Sequence, residues 1–139
     1  VDWPPRALPP GDSPLVIGVL GDDPFQGALD NTVRGEQVRH HPIVVQRYRR
    51  VEEIRVCHIL FISNSEKGRL PQIFAALKDR SILTVGEDEN FSRYGGIIRF
   101  YNAQNKIRFR IDVEAARAAS LTISSKLLRP AEIVQPGDA

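Results

Sequence analysis

The clearest indication of fold class comes from the segment Leu15-Val16-Ile17-Gly18-Val19-Leu20, which is followed by Gly21-Asp22-Asp23-Pro24. Six consecutive positions without a polar side chain would bury both faces of a strand, a pattern typical of a central strand covered by helices on each side. Asp23 is placed to accept from the first amides of a helix, and Pro24 suits a first helical position. The segment therefore predicts a strand, a turn and a short helix ending near Asn31.

Further buried strands and helices are predicted on either side of the chain's middle. Short apolar runs at residues 43–45, 59–62 and 82–85 have the length of strands. Between the last two runs, apolar side chains recur at the i, i+3, i+4, i+7 spacing of a helix that packs one face on a sheet. These side chains are Leu70, Ile73, Phe74 and Leu77, with Pro71 near the start.

The C-terminal third predicts a hairpin and two helices. Residues 98–100 and 107–111 flank a polar turn, and the second arm alternates apolar with basic residues at period two. Asp112 is placed to cap a helix to about Ala119, and Ser124 to cap a last helix carrying Leu127 and Leu128. The whole pattern predicts an α/β fold: a single three-layer domain whose mixed sheet includes a C-terminal antiparallel hairpin.

Length and composition agree with one globular domain. The chain has 139 residues, which is too short for two domains, and its 42% hydrophobic and 26% charged residues argue against disorder. Five prolines in residues 1–14 predict an extended, Pro-rich N-terminal segment, and residues 15–135 form the predicted domain. The chain opens at Val1 and contains no methionine, so we expect a processed product from which a targeting segment has been removed.

Charge and hydropathy limit the classes of partner. Lys and Arg number 19 against 17 Asp and Glu, and a formal net charge of +2 creates no strong field for nucleic acid or for an anionic membrane. The apolar runs are far shorter than the roughly 20 residues of a membrane-spanning helix. A protein partner is therefore favoured, and no membrane-spanning segment is expected.

Signatures of catalysis are missing from the sequence. It has neither the GxGxxG spacing of a dinucleotide site nor a GxxxxGK[ST] phosphate loop, and its three histidines are not spaced as a zinc ligand set. Cys57 and His58 are neighbours in a predicted strand, so their side chains point to opposite faces and cannot pair as nucleophile and base. We expect no enzyme, cofactor or metal centre, and interpret Cys57 as a structural or redox thiol.

Two sets of residues remain as candidate binding groups. Ligands of open α/β sheets bind beside the carboxyl ends of the strands, which selects a ligand-binding set after the first and third apolar runs: Asp22, Asp23, Ser63, Asn64 and Ser65. Adjacent acids after a first strand also occur in phospho-acceptor receiver domains, but the acceptor and lysine positions of that fold hold Ser63 and Gly86 here. Helix capping by Asp23 beside a solvated Asp22 is therefore favoured.

The second set lies on the predicted hairpin. Arg99, Arg108 and Arg110 are expected to share its exposed face, with no aromatic side chain on that face to stack a base. Two readings stay open, a solvated face and a partner-docking face.

A series of landmarks runs along nearly the whole chain in one order. They are Trp3-Pro4, Leu15-Val16-Ile17-Gly18-Val19-Leu20-Gly21-Asp22-Asp23-Pro24-Phe25, Cys57-His58-Ile59-Leu60-Phe61-Ile62-Ser63, Ile82-Leu83-Thr84-Val85, Gly95-Gly96-Ile97-Ile98-Arg99-Phe100, and Ile107-Arg108-Phe109-Arg110-Ile111-Asp112 with Ile123-Ser124-Ser125-Lys126-Leu127-Leu128. In their joint order and spacing these landmarks resemble the YfiR/HmsC-like family of small bacterial periplasmic regulators.

The resemblance implies a periplasmic repressor, made with a signal peptide, that binds the periplasmic part of an inner-membrane diguanylate cyclase. Cyclic-di-GMP and biofilm formation would then rise when the repressor is released. It also implies a homodimer, and for some members another membrane sensor as the partner. A second hypothesis is a sensor of a small ligand. Family members usually carry a helical segment ahead of the Trp-Pro landmark, and Cys57 stands at a family cysteine position without a second cysteine in this chain.

Overall fold

A computed structural model describes residues 2–9, 11–25, 27–123 and 132–133. The strands are β1 Leu15–Leu20, β2 Gln37–Val38, β3 His41–Tyr48, β4 Ile59–Ile62, β5 Leu83–Gly86, β6 Ile98–Ala103, β7 Lys106–Ile111 and β8 Glu132–Ile133. The α-helices are α1 Ala28–Val33, α2 Leu70–Leu77 and α3 Val113–Ala118. Short 3-10 turns occupy Val51–Glu53, Asn64–Arg69 and Ser92–Tyr94.

The described strands form one mixed sheet in the order β2-β3-β1-β4-β5-β6-β7-β8. Strands β3, β1, β4, β5 and β6 run parallel, while β2 pairs antiparallel with β3 and β6 antiparallel with β7. The predicted α/β class, the mixed sheet and the antiparallel hairpin are confirmed. Strand β1 lies between β3 and β4, as the absence of polar side chains along it requires.

Two buried clusters line the sheet. Along β4, Leu60 and Ile62 pack in the cluster formed with α2, whereas Ile59 packs against the cluster that contains Ile98, Ile111 and other residues of the hairpin and α3. Successive side chains of a strand point to opposite faces, so the two clusters lie on opposite faces of the sheet. Burial of one cluster on each face is what makes the short apolar runs stable as strands.

Gly18 is required by the packing around β1. A Cβ atom at this position would lie 2.7 Å from the Tyr48 ring and 3.0 Å from the Cys57 sulfur. Only a residue without a side chain allows β3 and the residues before β4 to pack this closely on β1.

The predicted helix after β1 begins later than expected. Asp23 Oδ1 accepts from the Phe25 amide at 2.7 Å, which stabilises a turn, and α1 starts only after Gly27, whose φ is +91°. By contrast, the predicted cap at Asp112 is confirmed, since its carboxylate accepts from the Ala115 amide at 3.0 Å at the start of α3. The last predicted helix, with Ser124, Leu127 and Leu128, lies outside the described residues.

The Pro-rich segment packs against the domain. The Trp3 indole donates to the His58 carbonyl at 3.0 Å, and Asp2 forms a β-bridge with Thr122. Within the described ranges, no helix is long and apolar enough to cross a bilayer.

Candidate functional site

The loops that follow β1 and β4 meet at one edge of the sheet. From β1 the chain crosses to β3 on one side, and from β4 it crosses to β5 on the other, so the two loops leave their strands in opposite directions. A reversal of this kind is where open α/β folds hold their ligands. The residues predicted from the sequence, Asp22, Asp23, Ser63, Asn64 and Ser65, all lie at this edge.

Direct hydrogen bonds close the space between these loops. The Asp22 amide donates to Ser65 Oγ at 3.0 Å, and the Ser63 amide donates to the Leu20 carbonyl at 3.0 Å. A Cβ on Gly21, whose φ is +92°, would lie only 2.5 Å from Ser65 Oγ. The two loops are therefore in contact, and the polar atoms of Ser63 and Ser65 serve to join them.

The remaining predicted ligand residues are held by other contacts. Asp23 Oδ2 accepts from Arg47 at 2.7 Å, and Arg47 also pairs with Asp30 at 2.5 Å. This double hydrogen bonding raises the pKa of Arg47 and lowers that of Asp30. Asn64 donates to Glu87 at 3.4 Å. Asp22, whose side chain is 77% exposed, stays accessible to solvent.

An arginine cleft that the sequence did not single out opens beside the closed loops. We use this name for a cavity of about 480 Å³ between the end of β3 and the start of α2. Its lining consists of three arginines, the buried Glu66, the exposed Glu52, one amide side chain and two apolar side chains: Arg49, Arg50, Arg69, Glu66, Glu52, Gln72, Val51 and Ile73. The sequence signal that could have indicated this cleft is the basic run at residues 47–50, which contains Arg49 and Arg50.

Cys57 and His58 each have separate partners. Burial raises the pKa of the Cys57 thiol to about 12, and the thiol donates to the Ile59 carbonyl at 3.2 Å. His58 is 2% exposed, and its Nδ1 accepts from the Val16 amide at 2.8 Å while its Nε2 lies 2.9 Å from the Ala7 carbonyl. The amide donor at Nδ1 requires a neutral ring with its proton on Nε2. The two side chains are therefore buried and held by separate partners.

The three predicted docking arginines share one face of the hairpin, as expected from their spacing. Arg99 lies directly opposite Arg110, and Arg108 opposite Tyr101. The expectation that this face has no aromatic side chain is wrong, because the Arg99 guanidinium lies 5.5 Å from the centroid of the Tyr101 ring. Sequence reasoning missed Tyr101 because it ended the first arm at Phe100, whereas β6 continues to Ala103.

The arginine side of the hairpin is also less exposed than predicted. Arg99 and Arg110 are half-buried, while Arg108 is exposed. The Nε of Arg99 is buried and lacks a hydrogen-bond partner in the part of the chain that the structure describes. In that same part, no group of three or more His, Cys, Asp and Glu side chains is arranged to hold a metal ion.

The family model described as YfiR/HmsC-like matches residues 1–132, which is nearly the whole chain. The chain belongs to the YfiR/HmsC-like family. This family consists of periplasmic regulators of the cyclic-di-GMP pathway and is regulatory rather than catalytic. No curated protein matches the chain significantly.

The buried Cys57 of this YfiR/HmsC-like protein gives a pH-dependent prediction. Its folded pKa of about 12 lies above the roughly 8.5 of a free thiol, so the folded state keeps its proton to higher pH. The stability contribution is complete below about pH 8.5 and falls as the pH rises toward 12, by up to about 1.4 kcal/mol per pH unit. The Cys57→Ala variant has no thiol at this position, so its free energy of unfolding should not show this fall at high pH. Urea unfolding of both proteins between pH 8 and pH 10.5 measures it, and parallel pH profiles would contradict it.

Proposed function

We propose that this chain is a periplasmic repressor that binds the periplasmic part of an inner-membrane diguanylate cyclase and lowers cyclic-di-GMP and biofilm formation. Membership in the YfiR/HmsC-like family over residues 1–132 is the observation that carries the proposal. The buried thiol of Cys57 and the fixed, neutral ring of His58 support a binding role over a catalytic one. We further propose that residues 15–135 act as one domain, with residues 1–14 packed on it, and that the chain works as a homodimer.

Repression requires a difference in affinity between two states of the cyclase. A partner that bound the active and inactive states equally well would shift neither population. The repressor must therefore recognise a surface that the cyclase presents only, or best, in its inactive state. Release of the repressor then raises the cyclic-di-GMP level without any chemistry in this chain.

The arginine face of the hairpin is the docking surface that we propose for this partner. Arg99, Arg108 and Arg110 place three positive charges on one face of the hairpin. An acidic side chain of a partner would find charged donors there and would offer an acceptor to the buried Nε of Arg99. Tyr101 adds a ring on the same face, and Arg108 adds an exposed charge.

Deleting the gene tests the proposed function in cells. We expect cyclic-di-GMP to rise several-fold in the deletion strain and to return to its starting level when the gene is restored. If the gene of the partner cyclase is deleted in the same strain, the rise in cyclic-di-GMP should disappear. Unchanged cyclic-di-GMP after deletion of the repressor gene would count against the proposal, and analytical ultracentrifugation of the purified chain tests the homodimer.

Arg108→Glu tests the docking face. Reversing the charge of an exposed side chain should weaken binding to the cyclase's periplasmic part by about tenfold or more, which corresponds to about 1.4 kcal/mol. Arg117→Glu is the matched control, because Arg117 is also exposed but belongs to α3 and not to the two strands that carry the docking arginines. Surface plasmon resonance measures both. Equal affinities for the two variants would show that the hairpin does not dock the partner.

A further inference from the structure

We propose that the arginine cleft binds a small organic anion. The phosphate or carboxylate group of this ligand would contact the arginines, and its small apolar group would lie between the arginine side chains. This site adds a soluble ligand to the docking function and does not depend on which membrane protein is the partner. It also lies beside, and not within, the set of loop residues predicted from the sequence.

The walls of the cleft come from two separate parts of the chain. Arg49 and Arg50 follow β3 directly, and Arg69 ends the 3-10 turn that leads into α2. The turn after β3 is held by Glu53, whose carboxylate accepts from the Arg49 amide at 2.7 Å and from the Arg50 amide at 2.9 Å. The backbone that carries two of the arginines is thus held in place before any ligand arrives.

The three arginines of the cleft outnumber its two carboxylates, Glu52 and Glu66, so its positive charges are only partly compensated from within. Arg69 pairs with Glu66 at 3.1 Å, and this carboxylate is 11% exposed. Arg49 pairs with Asp22 at 3.3 Å, but both side chains are more than three-quarters exposed, so this contact contributes little. Within the described residues, Arg50 forms no salt bridge. A planar guanidinium binds phosphate and carboxylate through paired hydrogen bonds, which favours an anion of this class over a chloride ion.

The apolar residues and the location favour an organic ligand over a bare ion. Val51 and Ile73 line the cleft between the charged groups, and Ile73 is 3% exposed. A volume of about 480 Å³ lies within the range of small-molecule sites, whereas phosphate alone would fill only part of it. The cleft also lies at the carboxyl end of β3, and open α/β folds bind their ligands beside the carboxyl ends of strands.

Titration of the purified full chain by two-dimensional amide NMR tests the proposal. The probes are phenyl phosphate, benzoate and inorganic phosphate, with sodium chloride at matched ionic strength. We expect saturable shifts of the Arg49, Arg50 and Gln72 amides with phenyl phosphate, and weaker binding of inorganic phosphate because it lacks the apolar body. Shifts that sodium chloride reproduces, or no saturable shift with any of the three anions, would overturn the proposal.

Two variants locate the binding, and one serves as a control. Arg50→Gln and Arg69→Gln should each weaken phenyl phosphate binding about fivefold or more, since each removes a charged donor. Arg117→Gln removes an arginine that pairs with Glu114 in the same i, i+3 arrangement as Arg69 with Glu66, and should leave binding unchanged. Arg69→Gln leaves Glu66 without its salt-bridge partner and could unfold the protein for that reason. Arg50→Gln breaks no salt bridge among the described residues, so it tests the proposal independently. Wild-type affinity in Arg50→Gln would overturn the assignment, whatever the outcome of the cyclase experiments.

Discussion

Replacing Phe91 by Ala is expected to lower the free energy of unfolding by about 3–5 kcal/mol, the range for removing a fully buried aromatic side chain. Phe91 is 1% exposed, and its ring packs at 5.4 Å from the Phe74 ring in an edge-to-face arrangement. The ring also fills the space that two glycines leave open, since a Cβ on Gly86 would lie 2.6 Å from it and a Cβ on Gly96 would overlap it.

Urea unfolding followed by the fluorescence of Trp3, the single tryptophan of the chain, measures this effect. Phe25→Ala is a suitable comparison, because Phe25 also packs edge-to-face, at 5.0 Å from Phe61, but is only half-buried. Its loss should cost clearly less than that of Phe91. If both substitutions lowered the free energy of unfolding equally, the packing of the Phe91 ring against Gly86 and Gly96 would not add to its contribution to stability.

Replacing His58 by Phe should lower the free energy of unfolding by about 2–4 kcal/mol, although the new ring is similar in size. The imidazole satisfies the Val16 amide at the start of β1 and the Ala7 carbonyl in the N-terminal segment. A phenyl ring can do neither, and each buried polar group left without a partner costs about 1–3 kcal/mol. The substitution should therefore loosen the N-terminal segment as well as the sheet.

Chemical denaturation followed by circular dichroism tests this prediction alongside two comparison variants. Trp3→Phe removes the indole bond to the His58 carbonyl together with part of a ring that packs against His58 and the second cluster, and should cost about 1–2 kcal/mol. His40→Asn changes an exposed histidine whose φ is +71°, a conformation that Asn tolerates, and should stay within about 0.5 kcal/mol of the wild type. If His58→Phe were as stable as His40→Asn, the hydrogen bonds of the His58 ring to Val16 and Ala7 would not contribute to the stability of the fold.

Local patterns were enough to predict most of the elements. A buried face of a strand or helix needs apolar side chains at regular intervals along the sequence. The apolar residues of β1 and β4 and the helical spacing of α2 show such patterns, so these elements could be predicted. The Asp112 cap is similarly local, since its bond reaches only three residues. The late start of α1 was missed because Asp23 could cap either a helix or a turn, and both use the same carboxylate contact with a nearby amide.

The candidate site could be predicted only in part. Strand ends indicated the correct edge of the sheet, but not that Asp22 and Ser65 would be joined across it. The arginine cleft was missed because Arg49 and Arg69 are twenty positions apart and become neighbours only through the placement of β3 and α2. The same limit applies to Tyr101, whose place beside Arg99 depends on how far β6 extends.

By itself the sequence determined that this protein has an α/β fold, and its ordered landmarks identified a regulatory family. Those properties follow from residue types and from spacings of a few positions, which the chain carries before it folds. Only the tertiary structure could show that the ligand loops close on each other, that His58 holds the N-terminal segment, and that three arginines surround one cleft. Each of these depends on contacts between distant segments, and such contacts arise from strand order and packing, which no local pattern encodes.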